Sequence, residues 1–236
     1  MEFNGGVIII GSLLWDNAPI RHKWRTLSLK DISTKTPVKV KIRYGRPSRS
    51  RLDTYSMIFS NHPSTQFGQA YIIGFKEILK NARMLESQAF ALASAEGLWA
   101  DKPSLNKSWG TVGLLINPNI DKKDKAGADI IRKRWSEIYQ NYSNSFNPSE
   151  YRIEKENAVV DHDGFLQIEW TEEMNAYDFL IATPVIPVIK SPLTPKQIAE
   201  KMREKGYTEY FDNNVANGIK TFQDSDIEQE LNRTQS

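Results

Sequence analysis

The chain contains no cysteine among its 236 residues. That excludes disulfide frameworks, thiolate nucleophiles and cysteine-based metal sites together, and accords with a reducing, cytoplasmic setting. Long hydrophobic runs are missing too. The longest, Val7 to Trp15, falls well short of the ~20 residues that span a bilayer, so no membrane partner is expected. Its N-terminal flank holds Glu2 and neither lysine nor arginine, unlike a secretory signal. Histidine is scarce: His22, His62 and His162 stand apart with no ligand spacing, so no metal site is expected. Nor does one sign of charge dominate. The 31 basic and 29 acidic residues leave a formal charge of +2, which argues against nucleic acid held by a global field. What is present is an average soluble composition, 39% hydrophobic and 25% charged, in a chain long enough to bury its own core.

No phosphate-binding Gly-x-x-x-x-Gly-Lys loop and no Gly-x-Gly-x-x-Gly fingerprint occurs, so neither device for holding a nucleotide is available. Asp161-His162-Asp163-Gly164 lacks the alternating ligands and distal glutamate of a calcium loop and reads as a hairpin turn between Val159-Val160 and Phe165-Leu166. With no linker and no internal repeat, residues 1–236 read as a single domain. Val7 to Ile10 is a β-branched run suited to a strand covered on both faces, ended by Gly11-Ser12. Val38, Val40 and Ile42 alternate with Lys39, Lys41 and Arg43, the pattern of a strand with one solvated face. Tyr55 to Phe59 and Tyr71 to Phe75 read as further strands. Met84, Leu85, Gln88, Ala89, Leu92 and Ala93 then suit a helix that begins at Asn81 and stops at Gly97.

Thr111 to Ile116 reads as another strand, followed by a helix after Gly127 that carries Ile131, Trp135, Ile138 and Tyr142. Asn141 to Pro148 is read as a loop. Phe179 to Ile189 is strand-like, with Pro184 and Pro187 confining it to an edge. Thr194-Pro195-Lys196-Gln197 is a capping box whose helix Gly206 closes. The last dozen residues are polar and expected to fray. The sum is an α+β domain: a mixed sheet of six or seven strands with packed helices. The six tryptophans are read as packing.

One segment is strongly basic. From Arg21 to Arg51 eleven lysines and arginines face the single acid Asp31. Tyr44, Gly45, Arg46, Arg49 and Arg51 fall in an expected loop between strands. The segment suits first a solvated strand face plus a loop, with a seat for a carboxylate, phosphate or nucleic-acid backbone as the sharper alternative.

Two short signatures point further: Ile10-Gly11-Ser12-Leu13-Leu14 after the first strand, and Leu92-Ala93-Ser94-Ala95-Glu96-Gly97 at the end of the first clear helix. With three strands in order between them, the chain resembles the γ-glutamylcyclotransferase superfamily. The resemblance covers about residues 7 to 116 and, faintly, Phe179 to Phe222, leaving 117–178 as an insertion. Ile10 stands where that family has tyrosine. The resemblance implies a mixed sheet or partly closed barrel with packed helices. It implies release of 5-oxoproline and an amine from a small γ-glutamyl substrate, with no cofactor. Glu96 would be the general acid/base, and Ile10, Gly11, Ser12 and Leu13 the substrate cradle, Ser12 by main chain alone. Arg46 and Arg49 would hold the α-carboxylate. A non-catalytic small-molecule or peptide binder on the same fold stays open as the alternative.

Overall fold

The computed structural model describes residues 2–99, 102–142, 144–154 and 156–233. The opening β-branched run forms β1 (Gly5–Ile9), and all five of its residues are buried. It lies inside a six-stranded mixed sheet in the order β3-β2-β4-β1-β8-β7, formed with β2 (Thr36–Ser48), β3 (Thr54–Phe59), β4 (Phe67–Gly74), β7 (Gly113–Ile116) and β8 (Phe179–Ala182). β1 pairs antiparallel with β4, Val7 opposite Ile73, and parallel with β8, Val7 opposite Ile181. The remaining neighbours are antiparallel. The fold is α+β, its sheet strongly curled into a half-barrel with, among the described residues, six helices.

β2 makes the curl. Its 13 residues run past the expected strand: Thr36 to Lys41 pair with β4, and Ile42 to Ser48 with β3. The register shifts between Tyr44 and Arg46, a bulge that bends the strand at Gly45. A Cβ added at Gly45 would sit 2.3 Å from Ile58 Cδ1, so any larger residue would have to displace the buried Ile58 side chain. Tyr44, Gly45 and Arg46 are therefore strand residues and not a loop. Arg43 departs from the solvated face as well. It is buried, donating to Ser64 Oγ and Thr65 Oγ1, both at 3.1 Å, and to the Leu193 carbonyl at 3.3 Å. The segment after β8 closes the barrel mouth: Val188 N–H donates to Gly45 O at 3.0 Å, and Arg46 to Ile186 O at 2.6 Å.

The helices are α1 (Pro19–Ser28), α2 (Ala82–Glu96), α3 (Ile120–Gln140), α4 (Pro195–Lys205), α5 (Glu209–Ala216) and α6 (Asp224–Asn232). Local chemistry sets several of their ends. Asn81 Oδ1 accepts from Met84 N–H, and Gly97 ends α2 in the left-handed region at φ 77°. The Thr194–Gln197 capping box forms, and Gly206 ends α4 at φ 59°. α3 starts earlier than Gly127. It is interrupted at Asp124 (φ −160°, ψ 85°), whose carboxylate caps its longer part by accepting from Gly127 N–H at 2.9 Å.

Elsewhere the expected strands are shorter. Val112 separates a ribbon of β5 (Asn106–Lys107) and β6 (Gly110–Thr111) from β7. β8 stops at Ala182, before Pro184, and Val185 makes only an isolated bridge to Gly110. The Asp163-Gly164 turn forms between Val160 and Leu166, with Gly164 at φ 77°. The C-terminal segment does not fray through its described part: α6 holds, though residues 234–236 of the expected frayed end lie outside the described residues. Ile227 is fully buried, worth about 1.5–3 kcal/mol, and Arg203 donates to the Glu230 carbonyl at 2.5 Å, fastening α6 to α4. No helix among the described residues is long and apolar enough to cross a membrane, and no acidic or histidine cluster among them could hold a metal.

Candidate functional site

A cavity of about 810 Å³ opens at the curled end of the sheet. It forms where β1 runs out. Leu14 N–H donates to Gly11 O at 3.0 Å and Asp16 N–H to Ser12 O at 2.7 Å, folding the chain sharply after Ile10. The amides of Gly11, Ser12 and Leu13 meet no acceptor among the described residues, although Ser12 and Leu13 are buried. Buried donors of this kind are satisfied by water or by a bound group.

Gly11 is required by close approach. A Cβ there would lie 2.5 Å from the Tyr210 hydroxyl of α5. The Tyr210 ring carries the Arg51 guanidinium at 3.9 Å, so turn, ring and cation are stacked in sequence. Gly11→Ala is expected to cost about 1–3 kcal/mol by overpacking, measured by denaturant unfolding. Removing the hydroxyl leaves Tyr210 Cζ at 3.5 Å as the nearest atom, an ordinary contact. Tyr210→Phe alone gives up the 3.4 Å bond from the buried Met57 N–H, so it is the reference: in that background Gly11→Ala should cost far less than in the parent. Equal costs in the two backgrounds would show that the collision is not the cause.

All the residues expected from sequence, Glu96, Ile10, Gly11, Ser12, Leu13, Arg46 and Arg49, line this one cavity. Glu96 is the last residue of α2, and its side chain is 18% exposed. It reaches the turn through Arg21 of α1. Arg21 donates to Ser12 Oγ at 2.8 Å and Asp16 Oδ2 at 2.6 Å, and lies 3.3 Å from Glu96 Oε2. Burial lifts the Glu96 carboxyl above its ordinary range; Arg21 and Arg51 pull it down, and Asp16 pushes it up.

Ser12 is engaged through its side chain as well as its main chain. Its Oγ accepts from Arg21 and, at 2.9 Å, from Arg51, which occupies both lone pairs and leaves its O–H free to donate. Arg46 is tied to the Ile186 carbonyl, and Arg49 is exposed at the rim. Arg51 is the better placed cation: it stands at the turn and forms no ion pair among the described residues. Trp24 and Trp135 are core residues, and Trp109 packs against the core at the cavity wall. Arg21 has no signal in the sequence beyond membership of the basic segment. Its helix has Ala18 as N-cap with no side-chain cap, and its side-chain partners lie 5, 9 and 75 residues away.

The loop carrying Arg49 and Arg51 holds two successive non-glycine residues in the left-handed region, Leu52 (φ 51°) and Asp53 (φ 63°). Backbone held in this way is characteristic of places where side-chain position matters more than local comfort. Comparison with family models, curated proteins and solved structures finds no match to this chain.

Proposed function

We propose that the cavity takes a γ-glutamyl compound and returns 5-oxoproline and a free amine, the reaction of the γ-glutamylcyclotransferase-like proteins that the two signatures resemble. The observation that carries this reading is the meeting of the Glu96 carboxylate and the Gly11-Ser12-Leu13 turn on one sheltered wall, 3.3 Å and 2.8 Å from a shared guanidinium. The chemistry asks for little else. The substrate's α-ammonium gives a proton to Glu96, and the freed nitrogen attacks the γ-carbonyl carbon. The γ-amide C–N bond then breaks as the departing nitrogen takes that proton from Glu96, and the second proton, shed by the ring nitrogen as it becomes the lactam N–H, passes through the freed carboxylate to the released amine, which leaves as its ammonium. Because attack is intramolecular, no protein nucleophile is called for. Free amides of the turn and the Ser12 hydroxyl offer hydrogen bonds to the oxygen on which charge develops. Arg51 faces the α-carboxylate.

The test is to incubate γ-L-glutamyl-L-alanine, γ-glutamylbenzylamine and related amides with the protein and to measure 5-oxoproline. No product across the panel overturns the reading. Arg51→Met should raise KM roughly 10–100-fold, the worth of one charge-assisted hydrogen-bonded contact. Arg49→Met, at the exposed rim, should change it far less. Equal effects would remove Arg51 from the carboxylate seat.

The existing ion contact of Glu96 with Arg21, and Ile10 in place of tyrosine, favour a second reading, a binding protein that uses the same cavity without turnover. Ligand affinity that is unchanged in Glu96→Gln, with no product from either protein, would select it.

A further inference from the structure

We infer that Asp16 and Arg21 are positioning residues that set the ionisation of Glu96: Arg21 holds the carboxylate at the cavity wall, and Asp16 fixes how much of its charge reaches it. The inference rests on the reading of Glu96 as the base and adds how that base is tuned. Its ground is geometric. Arg21 stands between two carboxylates, 2.6 Å from Asp16 Oδ2 and 3.3 Å from Glu96 Oε2, and is shared unequally in favour of Asp16. Asp16 is itself fixed, its Oδ1 accepting from Ala18 N–H at 2.8 Å and its N–H held by the Ser12 carbonyl. Arg25, one turn along α1, donates to the Leu13 carbonyl at 2.7 Å and the Asp16 carbonyl at 2.8 Å, so the helix grips the turn twice. Side-chain exposure falls from 34% at Asp16 to 18% at Arg21 and Glu96, so solvent screens the inner pair least.

Two further cations stand near Glu96. Arg51 faces it from the β2–β3 loop, and Lys107 of β5 donates to the adjoining Gly97 carbonyl at 3.1 Å. Neither is shared with a second carboxylate among the described residues, so only Arg21 is open to control through a partner. Removing Arg21 and removing Asp16 must then act in opposite directions. Without Arg21, burial prevails and the carboxyl holds its proton to higher pH. Without Asp16, Arg21 is left to Glu96 alone and the proton is lost at lower pH.

The experiment follows the carboxyl carbon of Glu96 by NMR in the full chain, assigned by its disappearance in Glu96→Gln. Its titration midpoint should rise in Arg21→Gln, rise less in Arg21→Lys, and fall in Asp16→Asn. On the acid limb of 5-oxoproline formation, Arg21→Gln should be on the order of tenfold slower and Asp16→Asn faster than the parent. A merely structural role would not give opposite signs. Midpoints that do not move, or that move together, overturn the inference. Should Arg21→Gln fail to fold, Asp16→Asn decides alone, downward for and unmoved against. Opposite midpoint shifts in a protein that makes no 5-oxoproline would retain the charge relation and discard the reaction. Turnover with unmoved midpoints would do the reverse.

Discussion

Replacing Glu96 by glutamine should lower 5-oxoproline formation by about 10²–10⁴-fold, the usual worth of a positioned general base, and should not lower the stability of the fold. The two halves of this expectation have one cause. The carboxyl sits at the end of α2 against the cavity wall, and burial lifts it above its ordinary range despite Arg21 and Arg51. A carboxyl so raised binds its proton more tightly in the folded chain than in the unfolded one. Its stabilising contribution is complete below the unfolded value and lost as pH rises through the folded value. Above that folded value the parent carries an ionised, largely buried group, which glutamine does not. The variant's unfolding midpoint should match or exceed the parent's there, and the gap should close toward pH 4. Glutamine keeps a carbonyl for Arg21, while Arg21 keeps Asp16 at 2.6 Å, so the turn stays anchored. Activity runs the other way: a base must be ionised, so turnover fades as pH falls through the raised value. Loss of product together with loss of fold would mean that Glu96 is structural, and unimpaired turnover would remove it as the base.

The parts of this molecule that could be read from sequence are those decided within a few residues. The β-branched run of β1, the Asn81 cap and Gly97 stop of α2, and the Thr194 capping box each depend on neighbours in the chain, and each is found. The misreadings concern residues whose surroundings come from far away. Arg43 carries the alternation of a solvated face, but Ser64, Thr65 and the Leu193 carbonyl, up to 150 residues distant, provide a buried seat for a guanidinium. Tyr44 to Arg46 look like a loop because arginine, proline and serine follow, but pairing to β3 across the Gly45 bulge makes them strand. α1 offers Pro19 at its first turn but no side-chain cap, and of its large apolar residues only Trp24 is buried while Ile20 and Leu27 are exposed, so its start is weakly marked. The candidate site divides along the same line. Glu96 and the turn are visible as short patterns, and Arg21 and Arg51 only as members of the basic segment; that these two and Tyr210 meet the turn follows from how α1, the β2–β3 loop and α5 fold onto it.

α5 delivers Tyr210 to Gly11 and Asn214 to Trp15, whose indole N–H donates to Asn214 Oδ1 at 2.8 Å, so the chain beyond α5 bears on the site. That gives Asp224 a consequence. It opens α6, is 6% exposed, and is pushed up to about 6, first by burial and against the hydrogen bonds from Thr221. One carboxylate oxygen accepts from the Thr221 hydroxyl; the other, like the hydroxyl of buried Tyr44, has no partner among the described residues. Burial and the Asp224 charge together drive the Tyr44 phenol well above its ordinary value, so Tyr44 stays neutral throughout. Taking the ordinary 3.8 for the unfolded chain, Asp224 contributes stability in full below about pH 4 and loses it as pH rises through 6. The loss amounts to about 3 kcal/mol over that interval, at about 1.4 kcal/mol for each pH unit. Glu156, raised by burial between Ser60 and Ile153, slopes the same way, so Asp224→Asn should flatten the profile and not level it. Asparagine keeps an acceptor for Thr221, and at pH 7 the variant should gain up to about 3 kcal/mol in denaturant unfolding while matching the parent near pH 4. Parallel stability curves for the two proteins from pH 4 to 7 would show that Asp224 ionises freely and that α6 owes nothing to its protonation.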